Sequence, residues 1–125
     1  MIIGKVTSDL ETVIELDIGG SNQWEKIECI VDTGFSGYLA LPSELINQLS
    51  LPIVDHQEVL LGDGTVVSLE KYLAKVLWHG EERSVSVLCT EGGSIAGMYL
   101  LLGSRLILDV IENGEVSIDT LSSIL

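Results

Sequence analysis

Apolar and polar residues alternate with a period of two along most of the chain, the pattern of strands with one face in a core and the other in water. Over residues 12–18 the alternation sets Ile14, Leu16 and Ile18 on one face and Val13, Glu15 and Asp17 on the other. Gly19, Gly20, Ser21 and Asn22 supply a turn, and over residues 24–31 the alternation resumes with Ile27, Cys29 and Val31 together. These two stretches predict a hairpin. Further turns are signalled by Asp63-Gly64, His79-Gly80-Glu81-Glu82 and Asn113-Gly114, because Asn-Gly and Asp-Gly suit the positive φ angles of a type I′ turn. They predict residues 59–61 paired with 66–69, 74–78 with 84–88, and 110–111 with 116–118.

Two segments depart from alternation. Residues 42–49 hold Leu45, Ile46 and Leu49 at helical spacing, with Pro42 or Ser43 as the start signal. Residues 104–110 predict about two helical turns capped by Ser104. No solenoid-type repeat, low-complexity tract or linker interrupts the chain. The pattern predicts one all-β domain over residues 1–125 with two short helices.

The length of 125 residues fits a single domain, and 46% hydrophobic with 20% charged residues is the mix of a folded globular chain. Charge narrows the partners. With 6 Lys and Arg against 19 Asp and Glu, the net charge of −13 offers nothing to replace counterions on phosphates. Nucleic acid and anionic lipid surfaces are therefore not expected partners. The N-terminal residues lack the charged lead and apolar stretch of a signal peptide, and the longest apolar run, residues 98–102, is too short to span a bilayer. The expectation is a cytoplasmic protein. Cys29 and Cys89 both lie in apolar alternating segments and read as two buried, reduced thiols.

The candidate chemistry lies at Asp32-Thr33-Gly34, directly after Ile30-Val31 and before Phe35-Ser36-Gly37. Alone, the triplet is what a turn after a strand prefers. In its context, the stretch from Ile30 to Gly37 resembles the active-site loop of retropepsin-like aspartic proteases, particularly their bacterial single-domain relatives. Three further features follow in that family's order. They are the helix at 42–49, the glycine-rich hairpin Leu61-Gly62-Asp63-Gly64-Thr65 at the place of the flap, and Leu101-Leu102-Gly103 leading into Ser104-Arg105-Leu106. The resemblance covers about residues 10 to 120.

That resemblance implies a closed acid-protease-type β-barrel, one domain forming a symmetric homodimer, and an aspartic endopeptidase without metal or cofactor. It implies that Asp32 and its symmetry mate hold the attacking water, and that Thr33 ties the two loops together across the dimer axis. Gly34 would bring backbone close to substrate, while Phe35, Ser36, Gly62, Asp63 and Gly64 would contact an extended peptide. The chemistry is consistent with this. Two carboxylates at close range cannot both ionise, so they share one proton and titrate as a unit. One can then take a proton from water while the other donates to the carbonyl oxygen. The triplet occurs once, so the second carboxylate must come from another copy across a two-fold axis.

The sequence also departs from the family. Viral members carry alanine and then aspartate after the glycine of the triplet, and an arginine after the later glycine that pairs with that aspartate. Here Phe35 and Ser36 follow the triplet, and Ser104 follows Gly103. Both halves of the ion pair are absent together. His56 and His79 read as turn residues without ligand spacing, Trp24 and Trp78 as packing or rim residues, Glu81-Glu82 as a solvated tip, and residues 121–125 as the end of the core. Two other readings stand beside the protease. One is a non-catalytic module whose dimer cleft holds a peptide or partner. The other is a plain β-barrel in which Asp32 is only a turn residue.

Overall fold

The computed structural model describes residues 1–121, with only the backbone of Val59. The reading of residues 121–125 as a core-closing segment therefore falls almost wholly outside the described residues. Among the described residues, ten strands and two short helices run in the order β1 (Ile2–Val6), β2 (Thr12–Gly19), β3 (Trp24–Val31), β4 (Leu39–Pro42), α1 (Ser43–Gln48), β5 (Ile53–Leu60), β6 (Val66–Trp78), β7 (Glu81–Thr90), β8 (Ile95–Ala96), α2 (Met98–Leu101), β9 (Ser104–Leu108) and β10 (Glu115–Thr120). The strands make one mixed sheet in the order β5-β6-β7-β4-β8-β3-β2-β1-β10-β9. A further pairing of β2 with β6, at Ile18 with Val76 and Gly19 with Lys75, draws the sheet back on itself.

The period-two reading holds best in β2. Ile14, Leu16 and Ile18 are buried while Glu15 is exposed, and seven register pairs from Val13–Ile30 to Gly19–Trp24 join β2 to β3. In β3, Cys29 and Val31 are buried and Ile27 packs against the core. The second half of β6 adds Ala74, Val76 and Trp78, and β7 adds Val85 and Val87. Among the described residues, no polar or charged side chain is buried. Cohesion therefore comes from apolar burial, roughly 1.5–3 kcal/mol per large side chain, and from the sheet's hydrogen bonds.

The structure corrects several expectations. Residues 66–69 and 74–78 are the two ends of one 13-residue strand, β6, because the intervening Glu70-Lys71-Tyr72-Leu73 contains no turn former. β4 showed no alternation because Leu39, Ala40 and Leu41 are all buried, between β7 in parallel and β8 in antiparallel pairing. The helix expected over 104–110 is absent. β9 occupies that stretch, turning Leu106 and Leu108 to the core. The second helix is α2, one segment earlier, and Gly103 with φ +83° follows it. β9 also takes the place expected for residues 110–111 as partner of β10, with Val116 opposite Leu108. Val110 and Ile111 lie exposed in the connecting turn.

The turns differ in kind. At the β6–β7 turn, His79 and Gly80 have φ of +51° and +78° between paired Trp78 and Glu81, as a type I′ turn demands. At the β5–β6 turn only Gly64 has positive φ, +87°, and the loop is closed by Leu61 N–H to Thr65 O at 2.7 Å. That is not the type I′ turn expected at Asp63-Gly64, which needs positive φ at both residues. Cys89 is exposed, not buried; both thiols are free. Trp24 is exposed and Trp78 is core. Among the described residues, no helix is long and apolar enough to cross a membrane.

Two outcomes follow from these environments. Burial pushes the Cys29 thiol up to about 12, so at neutral pH a thiol reagent should modify Cys89 alone in the native protein and both cysteines in denaturant. Rapid native labelling of two thiols by mass spectrometry would contradict this. His79 is held below its ordinary 6.5, chiefly by burial, with the N-terminal ammonium and Arg83 adding to this and Asp119 opposing it. The unfolded chain therefore takes up this proton first, and stability present above about pH 6.5 declines as pH falls towards the lowered value. His79→Asn keeps a residue tolerant of positive φ, and should flatten the dependence of the urea midpoint on pH between about 5 and 7.

Candidate active site

Asp32 stands where β3 leaves the sheet. Ile30 and Val31 pair in parallel with Ile95 and Ala96, and the Asp32 N–H donates to Ala96 O at 2.9 Å. The chain then turns, with Phe35 N–H reaching Asp32 O at 3.1 Å. The Asp32 carboxylate accepts the Gly34 N–H at 2.8 Å through Oδ1, the local bond that makes Asp a turn former. Asp32, Thr33 and Gly34 are all exposed. The carboxylate is thus oriented by its own loop and open to solvent. The Thr33 hydroxyl meets no hydrogen-bond partner among the described residues.

A second segment, residues 94–99, holds this loop from behind. Ile30 N–H donates to Ser94 O at 2.9 Å, Gly97 N–H to Tyr38 O at 2.9 Å, Met98 N–H to Phe35 O at 2.8 Å and Tyr99 N–H to Gly37 O at 3.1 Å. The Tyr38 and Tyr99 rings lie 5.6 Å apart. Gly97 is where the backbones come closest. A Cβ there would strike Gly37 O and sit 2.6 Å from Phe35 Cδ2 and 2.7 Å from Phe35 O. Phe35 is half-buried over Gly37 and Gly97, and packs as part of the loop's own support.

Directly after the triplet, residues 35–39 wall a cavity of about 310 Å³ together with Gln57, Lys71, Ser86 and Leu88 of β5, β6 and β7; Asp32, Thr33 and Gly34 are not among its lining residues. Phe35 and Ser36 line this cavity. Gly62, Asp63 and Gly64 do not line it; they form the exposed tip of the β5–β6 hairpin. Asp63 accepts the Thr65 N–H at 2.9 Å, and hydrogen bonding from Thr65 holds its carboxyl below the usual carboxylate range. Gln57, Lys71, Ser86 and Leu88 carry no motif that marks them in the sequence. The one signal is register, since Lys71 lies opposite Leu88. Among the described residues, no group of three or more His, Cys, Asp or Glu is arranged to hold a metal ion.

No family model and no curated protein matches the chain. Among solved structures, it is similar to a retropepsin-like aspartic protease from Rickettsia conorii. The match has a TM-score of 0.58 at 19% identity, over 94% of this chain and 88% of that one. The chain has a retropepsin-like fold. Within that fold, the apolar-apolar-Gly segment facing the Asp-Thr-Gly loop is Ile95-Ala96-Gly97, six residues before Leu101-Leu102-Gly103, because the hydrogen bonds to Asp32, Phe35 and Gly37 all come from residues 96–99. Helix α2 follows Gly97 directly. The residue after the later glycine is then Met98 rather than Ser104. Ser104 instead lies 2.8 Å from His79, Oγ to Nε2.

The close approach at Gly97 is testable by stability. Gly97→Ala should cost about 1–3 kcal/mol, since the added methyl meets backbone that cannot yield. Gly62→Ala, where nothing lies within 4 Å, should change stability by less than about 0.5 kcal/mol. Equal urea midpoints for the two variants would show that the loop does not depend on this contact.

Proposed function

We propose that the chain is an aspartic endopeptidase that acts as a symmetric homodimer, with Asp32 of each copy forming one dyad. The observation that carries this reading is the exposed Asp32 carboxylate, oriented by the Gly34 amide on a loop braced from behind, within a retropepsin-like fold. In the dyad, one proton is shared between the two carboxyls. The ionised member takes a proton from water as the oxygen attacks the peptide carbonyl, and the protonated member donates to the carbonyl oxygen. Collapse of the tetrahedral species returns a proton to the leaving nitrogen and breaks the C–N bond. Neither residue alone owns the resulting pKa values.

The surface around the loop supports pairing of two copies. Met98 and Tyr99, whose amides hold the loop, are 46% and 52% exposed, and Leu102 is 76% exposed. Apolar side chains so placed are suited to burial against a partner. The Thr33 hydroxyl is free to reach the mate's loop. The β2–β6 pairing supports reading each sheet as a closed acid-protease-type barrel. An extended peptide would lie under the β5–β6 hairpin and pair with its backbone. Two unpaired thiols fit a reducing, cytoplasmic setting.

A second reading, a dimer cleft that binds peptide without cutting it, draws support from Phe35, which fills space beside the loop. Cleavage separates the two. A diverse peptide mixture scanned from acid to neutral pH should yield products with the native chain. Asp32→Asn should lower turnover on the order of 10³-fold or more while leaving the urea midpoint nearly unchanged. Activity that survives the substitution sinks the assignment, and binding without products in either form favours the second reading.

A further inference from the structure

The cavity walled by residues 35–39, directly after the Asp32-Thr33-Gly34 triplet, has an unusual wall for this chain. No Asp or Glu lines it, yet Lys71 does, in a protein with 19 acidic residues and 6 Lys and Arg. Lys71 is half-buried. Its cross-strand neighbour Asp55 uses its carboxylate on the His56 N–H at 2.8 Å. Its chain neighbours Glu70 and Tyr72 bond each other at 2.8 Å. Lys71 is joined to no carboxylate among the described residues, where Lys26, paired with Asp17 at 3.2 Å, is the one Lys or Arg that is.

An ammonium carries three donors and no acceptor. Beside it in the wall are the Gln57 amide, the hydroxyls of Ser36 and Ser86, and the apolar surface of Phe35 and Leu88. A wall that combines apolar side chains, neutral hydrogen-bonding groups and one cation suits a short apolar stem ending in a carboxylate. We infer that this cavity is a subsite selecting an acidic side chain, glutamate or aspartate, from a bound peptide, and that Lys71 is its specificity-determining residue. The inference rests on the peptide-cleft reading above. The selection is local. The chain's overall −13 charge repels acidic peptides as a whole, so the cavity discriminates among side chains at one position of a peptide.

The test uses extended peptides that differ at one scanned position among Glu, Gln, Leu and Lys, with net charge held equal by a compensating residue at the far terminus. Their binding to the Asp32→Asn chain is read by fluorescence anisotropy, and their cleavage by the native chain as kcat/KM. At one position Glu should bind about tenfold tighter than Gln, the scale of one hydrogen-bonded charge. Lys71→Glu should reverse the order in favour of Lys, and Lys71→Arg should keep it. The preference should fade below about pH 4, where the peptide carboxylate is protonated. Equal binding of Glu and Gln at every position, or a preference unmoved by Lys71→Glu in a variant that keeps the native urea midpoint, overturns the subsite. Cleavage without Glu preference overturns the subsite and leaves the peptidase standing. Lys71-dependent binding without cleavage does the reverse, and no binding of any peptide overturns both.

Discussion

Residues 94–99 pass behind the Asp32 loop close enough that backbone amides and carbonyls of the two segments pair directly, with only the hydrogen of Gly97 between them. Most of the site's geometry descends from that approach. It sets where β3 stops, because Asp32 is the last residue whose N–H reaches into β8. It leaves the Asp32 carboxylate facing outward with an amide of its own loop to orient it. It also starts α2 at once, which brings Met98 and Tyr99 to the surface beside the loop. A side chain at Gly97 would push the two backbones apart and release all of these together.

The core behind this arrangement is uniformly apolar among the described residues. The ionisable groups therefore lie at or near the surface, and the exception, Cys29, is kept protonated by its burial. A chain with a large excess of negative charge can tolerate this because its charges remain solvated. It also means that few cations are available for any role that needs one. Lys71 in a cavity wall stands out for that reason.

Much of the fold was legible wherever a strand had one wet and one dry face. β2 and β3 announced themselves through Ile14, Leu16, Ile18, Cys29 and Val31. β4 did not, since strands buried on both faces lose their alternation, and neither did β8, two residues long. The stretch 104–110 suggests a helix through Ser104 as a cap, whereas Leu106 and Leu108, two residues apart, share one face of a strand. In the candidate site, the Asp-Thr-Gly loop carries a motif that the sequence displays, and Phe35 and Ser36 adjoin it. The glycine that meets it was sought six residues too late, because Leu102-Gly103 and Ala96-Gly97 look alike until hydrogen bonds distinguish them. Gln57, Lys71, Ser86 and Leu88 converge only through sheet register, which no local pattern states.

The single strand β6 has a mechanical meaning. Its far end is anchored among Ala74, Val76 and Trp78 in the core, while its near end is tied only to β5 and lies in water. No loop or glycine interrupts β6 between the two regimes, so the hairpin projects as a cantilever does, and its support ends near Lys71 and Tyr72, opposite the register shift between Ile53 and Asp55 of β5. That root also forms one wall of the cavity. A group seated in the cavity would therefore rest against the root of the hairpin, where β6 passes from one neighbour strand to two.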